Sequence, residues 1–266
     1  MKLNLNGRKT DTRARTAGEL LGNFPSGTVL TRDGLALSPE DQLNDGDRLL
    51  TVSEAAFPGP AEWAALMEAR YGPENQARLA AARVAVAGLG GLGSHAAASL
   101  ARAGVGTLCL IDFDRVEPIN LGRQHYFMGQ LGRPKAEALA ETIRSINPYL
   151  TVEALTERLT PTNTTKLLSG CQIIIEALDR PENKAELIST VLEHLPRAVI
   201  ICASGLAGFD SANTIATRRL GPRLYLCGDG QSEVKPGQGL TAARVSVCAG
   251  HQANMALRLI LNQPDP

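Results

Sequence analysis

The sequence predicts an α/β protein in which a small strand-rich domain precedes a doubly wound, mostly parallel sheet. Two observations predict the sheet: apolar runs alternate with helical stretches from residue 84 onward, and a glycine-rich turn joins the first run to a helix. A third predicts the division, because the Phe-Pro-Gly-Pro run at 57–60 cannot continue a helix or a strand. We expect one domain at 1–56, a connecting segment at 57–82 and a second domain at 83–266.

The first domain reads as strands around one short helix. Asn6-Gly7 is a hairpin turn signal, and Thr16 can cap a helix. The order strand, strand, helix, strand, strand is typical of a β-grasp fold, although so polar a segment also fits an irregular appendage. The predicted elements are strands at 2–6, up to about 13, at 28–30 and at 48–52, and a helix at 16–21.

Downstream of the prolines, the alternation of elements predicts a Rossmann-type sheet covered by helices on both faces. The predicted strands are 84–87, 107–111, 172–177 and 198–203, and the predicted helices are 61–70, 74–83, 94–102, 133–146, 182–194 and 249–261.

Composition argues against several classes of partner. The 27 Lys and Arg residues equal the 27 Asp and Glu residues, so no general field favours nucleic acid or an anionic membrane. No apolar run approaches the roughly 18 residues of a membrane span. The five cysteines form no C-x-x-C pair and lie mostly in apolar runs, which indicates buried thiols in a reducing compartment. We expect a cytoplasmic protein without membrane or nucleic-acid partners.

The Gly-Leu-Gly-Gly-Leu-Gly run at 88–93 lies between a strand and a helix, as a nucleotide-binding G-x-G-x-x-G requires. Glycines permit the tight turn and let backbone N–H groups approach a phosphate. Asp112 ends the next strand, where a carboxylate can bind ribose hydroxyls. ATP and NAD fit these features equally, and a turn that serves only packing is a further alternative. The candidate glycines are Gly88, Gly90, Gly91 and Gly93.

Charged residues beyond Asp112 favour ATP. Arg123 and Lys135 follow the ribose strand, and a triphosphate cleaved between its α and β phosphates needs cations there, whereas a nicotinamide enzyme does not. Asp179 follows the predicted strand at 172–177. It is expected to face the crevice at the carboxyl ends of the strands, where a carboxylate can bind magnesium. The alternatives are solvated surface charges for the two cations and a helix cap for Asp179.

The run Asp-Phe-Asp-Arg-Val-Glu-Pro-Ile-Asn-Leu-Gly-Arg-Gln at 112–124, combined with the glycine-rich turn, resembles the ubiquitin-activating-enzyme superfamily. Within it, residues 61–262 resemble the ThiF-type sulfur-carrier adenylyltransferases. The resemblance implies ATP and Mg²⁺ as cofactors, with Gly90 and Asp112 on the adenosine side and Asp179 on the metal. It implies that the rest of the nucleotide site includes Asp114, Asn120, Arg123, Gln124 and Lys135, and that Arg123, Lys135 and Asp179 are the catalytic residues.

By the same resemblance, the expected reaction is adenylation of the C-terminal glycine carboxylate of a ubiquitin-like sulfur carrier, in thiamine (thiazole) biosynthesis. The partners would be a carrier ending in Gly-Gly, a sulfur-donor protein and a second copy in a homodimer. The alternatives are the same chemistry on a molybdopterin-pathway or tRNA-modification substrate, or an inactive carrier-binding scaffold.

The first domain itself resembles a ThiS-like carrier, including its Leu-Asn-Asp-Gly-Asp turn at 43–47. It lacks a free Gly-Gly end, because the chain continues beyond Val52, so we expect the substrate tail to arrive from another molecule. Relatives often bind zinc through two C-x-x-C pairs. Here only Cys227 falls near one such place, so we expect no structural zinc.

Overall fold

A computed structural model of the chain describes residues 1–53 and 58–266. It divides into two compact units, Met1–Ala77 and Arg78–Pro266. The predicted boundary at 56–57, and Phe57 of the predicted linker, lie outside the described residues, so that division stays a prediction. No helix within the described ranges is long and apolar enough to cross a membrane.

The first unit contains a mixed five-stranded sheet in the order β2-β1-β5-β3-β4, in which β1 and β5 are parallel. Asn6 and Gly7 both have positive φ in the turn between β1 and β2, as the turn signal predicts. Thr16 accepts a hydrogen bond from the Glu19 N–H and caps α1. The elements are β1 (Lys2–Leu5), β2 (Arg8–Asp11), α1 (Ala17–Leu21), β3 (Thr28–Arg32), β4 (Leu35–Ala36), β5 (Arg48–Ser53), α2 (Pro60–Tyr71) and α3 (Pro73–Ala81), which extends into the second unit.

The second unit is built on a seven-stranded sheet in the order β11-β12-β10-β9-β6-β7-β8. Its strands pair in parallel except at β11, which runs antiparallel to β12. The predicted Rossmann-type, mostly parallel sheet is confirmed. The strands are β6 (Arg83–Ala87), β7 (Thr107–Ile111), β8 (Thr151–Leu155), β9 (Ile173–Glu176), β10 (Val199–Ala203), β11 (Ala216–Gly221) and β12 (Leu224–Gly228); the helices are α4 (Gly91–Arg102), α5 (Lys135–Ile146), α6 (Pro161–Leu167), α7 (Pro181–His194) and α8 (Ala242–Ile260).

The central strands are buried on both faces, which explains their continuous apolar sequences. In β9 all four residues are buried, including a glutamate, Glu176. Strand order reverses at β6, which lies between β7 and β9. Ligands of doubly wound sheets bind at such a switch point, outside the carboxyl ends of the strands.

No structure was predicted from the sequence for β8, α6 or β11, which contain few buried residues. Strand β12 was also missed, although its Leu-Tyr-Leu-Cys run is apolar. Helix α8 begins at Ala242, seven residues before the predicted start at 249. Its first turns carry the buried side chain of Arg244, a residue that apolar periodicity does not score.

Candidate active site

The carboxyl ends of the central strands open into a cavity of about 890 Å³ within the second unit. This volume falls in the range of small-molecule sites. The cavity is lined by all the predicted site residues except Gly93, namely Gly88, Gly90, Gly91, Asp112, Asp114, Asn120, Arg123, Gln124, Lys135 and Asp179.

The glycines of the turn have different reasons to be glycine. Gly88 has a φ of 89°, and a Cβ atom there would lie 2.6 Å from the Ala177 carbonyl oxygen. A Cβ atom on Gly93 would lie 1.9 Å from the carbonyl oxygen of Gly88, so only glycine lets the two ends of the turn pack this closely. At Gly90 the nearest atom would be the Gln124 side chain at 3.8 Å. Gly90 therefore leaves backbone open to a ligand, whereas Gly88 and Gly93 permit packing within the protein.

Asp112 joins the turn to the end of β7. Its Oδ2 accepts a hydrogen bond from the Leu89 N–H at 2.7 Å, and its Oδ1 accepts one from the Asp114 N–H at 2.8 Å. Because each carboxylate oxygen can accept more than one hydrogen bond, the buried Asp112 retains acceptor capacity toward the cavity.

Lys135 brings a buried cation to the cavity. It is the first residue of α5, and its side chain is 8% exposed. Its Nζ lies 3.2 Å from Oδ2 of Asp114, whose own side chain is 50% exposed. A buried ammonium group has three donors and needs anionic partners, so this arrangement suits a further anion.

The turn at Pro118–Gly122 and the residues after it place three polar side chains on the same wall. Asn120 is buried, and its Oδ1 accepts a hydrogen bond from the Glu117 N–H at 2.9 Å. Gln124 is buried with an Oε1 that has no hydrogen-bond partner among the described residues. Arg123 donates weakly to the Ile119 carbonyl, at 3.3 Å, and forms no ion pair within the described residues.

Asp179 lies across the cavity, exposed, between β9 and α7. Arg180, and not Asp179, is the N-cap residue of α7, and no side chain caps this helix end by a hydrogen bond. The described residues contain no hydrogen bond or ion pair to the Asp179 carboxylate, so it is available to a ligand.

The residues present fit a nucleotide with a metal ion. The backbone at Gly90 leaves room for a polar ligand, and the buried Oε1 of the nearby Gln124 has no hydrogen-bond partner among the described residues. The described residues hold no group of three or more His, Cys, Asp or Glu side chains suited to a metal ion. A single carboxylate such as that of Asp179 is enough for magnesium, which is bound by one or two carboxylates together with substrate phosphates.

Two features of the site escaped the sequence interpretation. The Tyr126 hydroxyl donates to the Leu89 carbonyl oxygen at 2.9 Å. Because Tyr126 follows the predicted site residue Gln124 by two positions, the sequence could have indicated that it lies near the site. On the other side, the Lys184 ammonium group lies 2.8 Å from the carboxylate of the fully buried Glu176. Burial raises the Glu176 pKa, and the Lys184 ion pair opposes that shift. A glutamate that ends an apolar strand was the signal there.

Residues 204–207 line one end of the cavity, and backbone hydrogen bonds join them to the segment after β12. Arg244 links that segment to the chain just after the loop, because it donates to the Asp210 and Ser211 carbonyl oxygens at 2.7 and 2.6 Å. Arg244 also forms an ion pair with Asp229 at 2.5 Å.

The cysteines near this end are poor nucleophiles. Burial raises the pKa of Cys202 to about 12 and that of Cys227 to about 11, so both thiols are protonated at neutral pH. Every cysteine of the chain is buried and reduced.

One cavity at the switch point contains the glycine-rich turn, the Asp112 carboxylate at the end of β7, and cations. These features define a nucleotide-binding protein of the Rossmann-type class. Residues 64–266 match the model of the ThiF family, and the chain therefore belongs to the ThiF family, within the E1-like adenylyltransferase superfamily.

Relatives of two kinds resemble the chain. A tRNA threonylcarbamoyladenosine dehydratase of Haemophilus influenzae is 36% identical over 137 residues, which are 51% of this chain and 52% of that protein. A sulfur carrier protein adenylyltransferase of Thermus thermophilus is 40% identical over 111 residues, 41% of each chain. The chain thus spans about half the length, or less, of these curated relatives.

Among solved structures, the Escherichia coli tRNA N6-threonylcarbamoyladenosine dehydratase in complex with ATP superimposes with a TM-score of 0.70. The sequences are 25% identical, and the match covers 78% of this chain and 98% of that one.

Proposed function

We propose that this chain is an ATP-dependent adenylyltransferase that transfers AMP to a carboxylate. One observation carries the proposal: the buried Lys135 lies on one cavity with Arg123 and Asp179, and neither Arg123 nor Asp179 forms an ion pair with any described residue. This is the charge arrangement that a triphosphate and its magnesium ion require, and a nicotinamide dinucleotide has no use for it.

The geometry supports one position for the nucleotide. Asp112 accepts hydrogen bonds from the ribose hydroxyls, and the phosphates pass the open backbone of Gly90 toward Lys135. Asp179 would hold a magnesium ion, whose charge would offset that of the pyrophosphate. The remaining phosphate ligands are Asn120, Arg123 and Gln124; Asp114 orients Lys135; and Gly88, Gly91 and Gly93 shape the turn.

The reaction requires no general base, because a carboxylate is already ionised at neutral pH. A carboxylate oxygen forms a bond to the α-phosphorus, and the bond from that phosphorus to the α–β bridging oxygen breaks. The products are an acyl-adenylate and pyrophosphate. The protein contributes positioning and stabilises the charge that develops on the phosphates, through Arg123 and Lys135.

We propose the C-terminal glycine of a ubiquitin-like sulfur carrier, in thiamine biosynthesis, as the substrate. The likeness to a sulfur carrier protein adenylyltransferase and the glycine-bounded loop at 204–207 support a peptide tail. The strand order of the first unit, with β1 and β5 parallel, supports a ThiS-like β-grasp domain. A sulfur donor would then attack the acyl-adenylate. A homodimer is also proposed.

A carboxylate carried by a tRNA nucleoside is the second candidate substrate, in the same reaction. It is favoured by the likeness to the tRNA threonylcarbamoyladenosine dehydratases in sequence and structure. The balanced charge of the chain favours the carrier instead, since tRNA binding usually draws on a basic surface.

ATP–pyrophosphate exchange with labelled pyrophosphate tests the proposal. One arm contains a ThiS-type carrier ending in Gly-Gly, a second the same carrier without its last glycine, and a third tRNA bearing threonylcarbamoyladenosine. We expect exchange in the first arm alone. Exchange in the third arm alone would select the tRNA substrate, and no exchange with any acceptor would contradict the proposed activity.

Removal of residues 1–56 tests whether the tail comes from another molecule. We expect the truncated protein to adenylate an added carrier, because the first domain has no free carboxylate to offer. A folded truncation that binds ATP but adenylates no carrier would give that domain a direct role.

A further inference from the structure

The segment Gln124–Tyr126 crosses between several parts of the nucleotide site. Tyr126 is buried, and its hydroxyl lies 2.9 Å from the Leu89 carbonyl oxygen in the glycine-rich turn. The same hydroxyl lies 3.4 Å from the carbonyl oxygen of Lys135, the first residue of α5. The N–H of His125 donates to the Ser94 hydroxyl of α4 at 3.0 Å. Two successive residues therefore contact the glycine-rich turn, the first turn of α4 and the start of α5.

We propose that Tyr126 is a positioning residue that holds the glycine-rich turn at a fixed distance from the amino end of α5. This inference rests on the proposed function, because the turn and Lys135 are the two sides between which the phosphates would lie.

Leu89 shows how the turn is held. Its N–H donates to Asp112 at 2.7 Å, and its carbonyl oxygen accepts a hydrogen bond from the Tyr126 hydroxyl. Both polar groups of this residue are therefore fixed from the protein side, directly before Gly90, where the backbone is open to a ligand. A turn held in this way loses little further freedom when it binds a nucleotide.

The hydroxyl group is the part of Tyr126 that carries this role. A buried phenol needs a hydrogen-bond partner, and many carbonyl groups in a core can supply one. Tyr225 is such a case: it is fully buried, outside the cavity lining, and its hydroxyl donates to the Pro264 carbonyl oxygen at 2.8 Å. Burial raises the Tyr126 pKa far above its usual range, so its hydroxyl remains a donor at every working pH.

The pair Tyr126→Phe and Tyr225→Phe in the full chain provides a matched test. Each change deletes one buried hydroxyl that donates to a backbone carbonyl oxygen. We expect ATP to bind about three- to tenfold more weakly to Tyr126→Phe, the ratio that one hydrogen bond commonly represents. Tyr225→Phe should bind ATP within about twofold of the wild type, although both variants should have lowered melting temperatures.

Hydrogen–deuterium exchange without nucleotide provides a second readout. Amides at 88–93 should exchange faster in Tyr126→Phe than in the wild type. In Tyr225→Phe their exchange rates should equal those of the wild type. Equal ATP affinity and unchanged exchange in Tyr126→Phe would overturn the inference, and so would an equal loss in both variants. If the wild type failed to bind ATP while Tyr126→Phe still loosened the turn, the proposed function would fail and the positioning role would stand.

Discussion

The two walls of the cavity are built in different ways. The first wall, residues 88–93 and 112–135, consists of strand ends, a helix start and one short stretch of chain. The second wall, residues 177–184, 203–207 and 229–240, brings together three connections that follow β9, β10 and β12. The first is held by hydrogen bonds to backbone groups of Leu89, Asp114 and Glu117, and its Lys135–Asp114 ion pair lines the cavity. The second depends on two ion pairs in which Glu176 and Arg244 are the buried members.

This difference separates binding from support. On the first wall, the charged groups themselves face the cavity, so their removal should impair ligand binding more than folding. On the second wall, Arg244 and Glu176 lie buried behind the lining, so their removal should impair folding first.

Replacement of Arg244 by Met should destabilise the second unit by about 3–5 kcal/mol, because it removes the ion-pair partner of Asp229 and the donor to two carbonyl oxygens. Urea unfolding measures the loss. Arg219→Met, at an exposed arginine of β11, is the control and should cost less than about 0.5 kcal/mol. Equal stability of the two variants would remove the ion pair from the account.

Replacement of Lys135 by Met should lower the rate of substrate-dependent pyrophosphate exchange about 10²- to 10³-fold, since one preorganised charge contact to the phosphates is lost. The melting temperature should change little, because Met fills the volume of the lysine stem. The exposed Lys166→Met is the control. A loss of less than about fivefold would mean that Lys135 serves the ion pair with Asp114 and not the phosphates.

Asp179→Asn should reduce exchange about 10²-fold and shift its dependence to higher magnesium concentrations. Stability should be unchanged, because the exposed carboxylate has no partner among the described residues. Although it lies on the second wall, this variant should behave like those of the first, since its side chain faces the cavity. Exchange within a few-fold of the wild type would exclude a magnesium ligand at this position.

The smallest expected effect concerns pH. Although burial opposes it, hydrogen bonds from Ser232, Gln231 and Arg244 lower the Asp229 pKa to about 2. Because the folded pKa lies below the ordinary value of 3.8, this stabilisation is present above about pH 4 and is lost as pH falls toward 2. Between pH 5 and pH 2.5, Asp229→Asn should lose about 1.5 kcal/mol less stability than the wild type. Parallel pH profiles would contradict this.

The contrast also explains what could be predicted from the sequence. The first wall lies within 48 residues, where strand, turn and helix fix the geometry locally, and the motifs together with the family resemblance predicted nine of its cavity-lining residues. The Tyr126 contact was missed because it depends on how the segment folds back over Leu89. Arg244 was missed because its partners lie 15 to 34 residues away, across β11 and β12, which the apolar pattern did not reveal.

The mixed sheet of the first unit gives a second lesson. Its hairpin turn and helix cap are local features, and the structure contains both as predicted. The parallel pairing of β1 with β5 joins residues more than 40 positions apart and is invisible to local patterns.

The most direct test of the central claim is a calorimetric titration of the full chain with ATP and with NAD, each in the presence of magnesium. The account predicts saturable ATP binding that Lys135→Met weakens, and no NAD binding at the same concentrations. Tight NAD binding without ATP binding would contradict it, since the cations of the first wall would then have no triphosphate to bind.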